Sequence, residues 1–177
     1  SHYFYPQYMT KIMNEGFAVY IHTELMLKLD VTPSEFIEYS QLHEKVVQPG
    51  RDKFNFNPYY LGFKIFKNIE KVWDEKYENG ESKLTGFQKI LEVVEEENDI
   101  SFVRNYLTKE LCEEMELFVY QQSKGYNGDT IVEIVSKDLD DIKEYVVKDL
   151  YNYRAPNIKI SSATKLSLEL EHCSTEY

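Results

Sequence analysis

The chain has 177 residues, 42% of them hydrophobic and 15% aromatic, enough apolar material for one ordinary core and a small appended unit. Fifteen tyrosines and ten phenylalanines against seven glycines and five prolines exclude a disordered or fibrous chain, because aromatic side chains need a packed interior. Thirty-one acidic against twenty basic residues give a net charge of -11; that field repels phosphate backbones, excludes nucleic acid as a partner and leaves proteins as the expected partners.

Pro6 precedes a run from Tyr8 to Leu29 in which Ile12, Val19, Leu25, Met26 and Leu29 recur near helical spacing, which predicts one long first helix. Thr32-Pro33-Ser34-Glu35 is a capping box with proline at the first helical position and opens a second helix to about Val46. The Gln48 to Asp52 segment breaks it, and Asn57-Pro58 starts a third helix with Leu61, Ile65, Phe66, Ile69, Val72 and Trp73 on one stripe. A fourth helix spans Phe87 to Glu97 with Ile90, Leu91 and Val94 inward, and a fifth spans Ile100 to Leu107, followed by a turn capped by Thr108.

Beyond about Glu114 the period changes. Met115 to Gln122 and Thr130 to Ser136 are rich in β-formers and flank a loop with two glycines and an Asn-Gly pair, the pattern of a hairpin. Asp138 caps a helix from Leu139 to about Tyr151, and Ile158 to Ser161 and Leu166 to Leu170 alternate as strands. The expected fold is α+β: a mainly helical part of about five helices over residues 1–114, then a small ββαββ unit over 115–177. With no Gly/Ser linker between them, the two are expected to pack together.

No run approaches the roughly 20 apolar residues of a membrane helix, and no signal peptide opens the chain. Cys112 and Cys173 lack CxxC spacing and read as structural thiols of a reducing compartment. These features predict a cytoplasmic protein without membrane insertion. The Ser-His opening and polar Cys-Ser-Thr-Glu-Tyr end are expected boundaries of a piece of a longer protein. The acidic run Glu92 to Asp99 is expected to be a solvated helix face.

The candidate chemistry lies in Asn14-Glu15-Gly16 and His22. Seven residues apart on a helix, Glu15 and His22 point the same way, here expected to be inward among Ala18 and Val19. A buried polar pair needs partners: either neighbouring helices supply hydrogen bonds, or Glu15 and His22 serve a catalytic water or a divalent metal, with Glu15 as the ligand. Seven residues rise about 10.5 Å, so the two do not readily share one ion. No HExxH, GxSxG, Walker A, GxGxxG or EF-hand pattern occurs. His43 lies on the second helix, placed to meet the first or to remain partly exposed. Arg104 is a candidate carboxylate anchor or a partner of nearby glutamates.

Four stretches in order, Tyr3 to His22 (YFYPQYMTKIMNEGFAVYIH), Val46-Val47-Gln48-Pro49, Asn57-Pro58-Tyr59-Tyr60-Leu61-Gly62 and Asp99 to Leu107 (DISFVRNYL), resemble the stage V sporulation protein R (SpoVR) family. The resemblance implies a bacterial intracellular protein tied to spore-cortex formation, or to stress and stationary phase where spores are not made. It implies a longer chain with an upstream helical region carrying an HxxGH-like segment. Two histidines from that segment together with Glu15 would resemble a helical metallohydrolase, with a divalent metal as cofactor. Phe17 and Ile21 stand where the family has tryptophans, and Val19 where it has serine.

Overall fold

The structure is a computed structural model and describes residues 4–50, 53–124, 129–148, 158–164 and 167–172. The described elements run α1 (Tyr5–Met9), α2 (Lys11–Lys28), α3 (Pro33–Val46), α4 (Pro58–Glu78), α5 (Gly86–Glu96), α6 (Asp99–Tyr106), α7 (Lys109–Glu114), β1 (Val119–Lys124), β2 (Thr130–Ser136), α8 (Leu139–Lys148), β3 (Ile158–Ala163) and β4 (Leu168–His172).

Side-chain caps set the helix starts. Thr32 accepts from the Glu35 amide while Glu35 reaches back to the Thr32 amide. Asn57 caps α4 ahead of Pro58. Thr85 and Gln88 form the same reciprocal pair at α5, and Asn98 and Ser101 form it at α6. Each satisfies amides that the helix itself leaves unbonded, worth about 1 kcal/mol per cap.

The core is built where α2 crosses α4. Ile12, Met13 and Tyr20 of α2 pack with Leu61, Ile65, Phe66 and Ile69 of α4, and Ile90, Val93, Phe102 and Val103 close the cluster from α5 and α6. Each such side chain contributes roughly 1.5–3 kcal/mol on burial. The crossing is close because it runs through two glycines: a Cβ on Gly16 would lie 2.4 Å from the Gly62 carbonyl carbon, and one on Gly62 would lie 2.3 Å from the Ile12 oxygen. Phe17 meets Phe66 beside it, with ring centroids 5.8 Å apart. Ile142, Val146 and Val147 bring α8 into the same core, against α6 and α7.

The first helix is broken, not continuous. Thr10 interrupts it between α1 and α2, because the amides of Ile12 and Met13 bond to the Asp99 carboxylate and so make no helical bond to residues 8 and 9. The expected inward stripe of that helix holds for Ile12 and Val19 but fails for Leu25 and Leu29, which are exposed. On α5, Val93 is buried beside Ile90, while Leu91 turns outward, since it sits about 100° around the helix from Ile90. The turn expected after Thr108 is the short helix α7.

The chain thus mixes helices with two small antiparallel sheets, an α+β content. Among the described residues the strands pair as two separate hairpins, β1 with β2 and β3 with β4. In the second, Ile160 lies opposite Leu170, and Ile158, Ile160, Leu168 and Leu170 are all exposed. The expected Asn-Gly loop at 125–128, the helix end at 149–151 and Cys173 lie outside the described residues.

Candidate functional site

Helix α2 carries both candidate residues on one stripe, but they belong to different surroundings. Glu15 is half-buried near the α2–α4 crossing and pairs with Lys11 one turn earlier at 3.9 Å. His22 is exposed, contrary to the inward position expected for it. Two helical turns carry it past the crossing, to where α3 rather than the core is its neighbour. The Tyr39 ring stands edge-on to His22 at 5.2 Å between centroids.

Tyr39 links three groups. Its hydroxyl lies 3.2 Å from Thr23 Oγ1 and 3.3 Å from His43 Nδ1. His43 also meets the Phe63 ring of α4 edge-on at 5.6 Å. Burial, and then the charge of nearby His22, lowers the His43 pKa below the ordinary imidazole value, so this ring is neutral at neutral pH. The helices enclose an open cleft of about 370 Å³, lined by Ala18, Val19 and His22 of α2 and by Tyr39, Leu42, His43 and Val46 of α3.

The most unusual polar group is Asp99, which was expected on a solvated acidic face. Only 1% of it is exposed. It is the first residue of α6, and its two carboxylate oxygens accept from the Ile12 and Met13 amides, each at 2.9 Å. It therefore caps α2 from another helix, with the positive end of that helix favouring its charge. Desolvation nevertheless wins: it pushes the carboxyl up to about 6 against those amides, and the nearby Glu15 charge adds to the rise. The local sequence does carry a trace of this role, since Asn98 and Ser101 form a capping box that fixes Asp99 at the helix start.

Other charged groups serve packing. Tyr20 donates to Glu70 at 2.5 Å within the core, and Lys67 joins Glu70 and Glu24 over the Tyr20 ring. Arg104 pairs with Glu144 of α8 at 2.7 Å. Glu116 follows α7 in the left-handed region at φ 51° and pairs with Lys53.

Among the described residues no group of three or more histidine, cysteine, aspartate or glutamate side chains is placed to hold a metal ion. Glu15 and His22 alone do not fit one: they lie two turns apart with separate partners. A metal centre on Glu15 would need ligands from outside the described residues. No described helix is long and apolar enough to cross a membrane.

The model of the SpoVR like protein family matches residues 1–155. The chain belongs to the SpoVR-like family. Its matched region includes every stretch that suggested the resemblance, and it takes in α2, α3, Asp99 and the glycine crossing. A SpoVR-like chain of this kind is similar to the uncharacterized protein YcgB of Escherichia coli (strain K12), with 28% identity over 141 residues, covering 72% of this chain and 28% of that protein. The chain therefore spans little more than a quarter of that relative's length. No solved structure matches it.

Proposed function

We propose that this SpoVR-like chain is part of a cytoplasmic protein that acts in spore-cortex formation through a structural or regulatory role, by contact with other proteins. The observation that carries the reading is the separation of Glu15 from His22. Glu15 pairs with Lys11, while His22 packs on Tyr39, so the two polar side chains of the family motif serve two different packing environments. The division into a helical part, 1–114, and a small ββαββ unit, 115–177, belongs to the same proposal. Deleting the gene in a spore-forming host tests it: thinner or absent cortex, with specific proteins recovered on the tagged chain, is expected. Normal cortex in the deletion strain would overturn it.

A second reading is favoured by the proximity of two carboxyl groups, Glu15 and buried Asp99, at the start of α2. In this reading the intact protein is a metal-dependent hydrolase whose remaining ligands lie upstream, and Glu15 supplies one ligand or a base. Metal analysis of the full polypeptide beside its Glu15→Ala variant decides it: bound divalent metal that falls in the variant is expected, and no metal in either protein removes the reading.

A further inference from the structure

Helix α3 presents a physical puzzle. It has a complete capping box and fourteen residues, yet none of them is buried. Apolar side chains are nonetheless spaced along it. Leu42 and Val46 share a stripe with Tyr39 and His43, at the i, i+3, i+4, i+7 positions of one helix face. Across the cleft from them α2 presents Ala18, Val19 and His22. Leu42 is 56% exposed and Val46 42%.

Ala18, Val19 and His22 of α2 and Tyr39, Leu42, His43 and Val46 of α3 form the walls of the cleft, so the exposed Leu42 and Val46 belong to one groove and are not scattered singles. In a chain of net charge -11, no carboxylate lines that cleft; its polar groups are two imidazoles and one phenol. A basic peptide would find nothing there to neutralise it. An amphipathic helix would find apolar walls from both helices and hydrogen-bonding groups among them.

The length of the relative supplies a source for such a helix. Nearly three quarters of YcgB lies outside the stretch that this chain matches, and a surface of this kind inside a larger protein is ordinarily a buried domain contact. We propose that the α2–α3 groove is the docking site for an amphipathic helix from the remainder of a SpoVR-type polypeptide, the part outside these 177 residues, which lays its apolar stripe between Ala18 of α2 and Leu42 and Val46 of α3 and sets a polar side chain against His22 and Tyr39. The inference rests on family membership and not on the cortex reading.

Cysteine accessibility tests it in the full polypeptide expressed from the complete gene, with Cys173→Ser as background and Cys112 buried. Leu42→Cys reports the groove, and Glu44→Cys, two residues on and therefore on the opposite side of α3, reports free solvent. Maleimide labelling at Leu42→Cys is expected to be at least tenfold slower than at Glu44→Cys at every protein concentration, while in the 177-residue chain the two label alike. Equal rates in the full polypeptide would overturn the proposal, leaving the groove open or kept for a separate protein. Protection that disappears on dilution would overturn it in favour of a second copy, as would protection already present in the 177-residue chain. Val46→Cys repeats the measurement should Leu42→Cys fail to fold. Because the readout is burial, its failure leaves the cortex reading untouched.

Discussion

Replacing Asp99 by asparagine should change the pH dependence of stability more than stability itself. The carboxylate accepts two backbone amides at 2.9 Å, charge-assisted bonds worth about 1.5–3 kcal/mol each. Asparagine keeps one acceptor and turns an NH2 toward the second amide, so one bond is lost. Against that stands the relief of a buried charge. The carboxyl rises from 3.8 to about 6 on folding, so between those values the native state binds more protons than the unfolded one, and stability falls as pH rises. At 1.36 kcal/mol per unit the full effect is about 3 kcal/mol, present below the unfolded pKa and lost through pH 6. Roughly 2.5 kcal/mol of it falls between pH 4 and pH 7.5 by the same linkage.

Asp99→Asn removes this term while the other carboxyl groups titrate as before, so the difference between the two proteins isolates it. Urea unfolding at pH 4 and at pH 7.5 measures that difference. The variant should gain about 2.5 kcal/mol on the wild type between the two pH values. Parallel pH profiles would refute the argument, because they would mean that Asp99 has the same proton affinity folded and unfolded.

Gly16→Ala and Gly62→Ala each push a methyl group into the backbone of the facing helix; thermal unfolding should show each destabilised by about 3 kcal/mol or more, or failing to fold. Tyr20→Phe removes the core hydroxyl that donates to Glu70, and a loss of about 1–2 kcal/mol is expected by denaturant titration. Glu116 occupies a left-handed position that glycine adopts without strain, so Glu116→Gly should melt at a higher temperature than Glu116→Ala, both having lost the Lys53 pair equally.

Elements set by local chemistry were legible in the chain itself. Thr32-Pro33-Ser34-Glu35 and Asn57-Pro58 start their helices where their caps require, and the β-formers of Thr130 to Ser136 make a strand. Features made by distant residues were not. The break at Thr10 follows from Asp99, 87 positions away from Ile12, and nothing near Thr10 announces it. Asp99 itself stood at the end of an acidic run that looked solvated, and only the fold shows that its neighbours are the amides of another helix. Helical spacing placed Glu15 and His22 on one stripe correctly, yet it carries no information on where along the helix the core ends. His22 and the leucines beyond it lie past that point.

The structural and the catalytic readings part most clearly at Glu15. Glu15→Gln keeps the size and most of the polarity of the side chain while removing its charge, its basicity and most of its affinity for a metal ion. In a spore-forming host lacking the gene, the structural or regulatory account predicts that the full polypeptide carrying Glu15→Gln restores the cortex as the unaltered protein does; failure to restore it, with the variant accumulating at the normal level, would contradict that account.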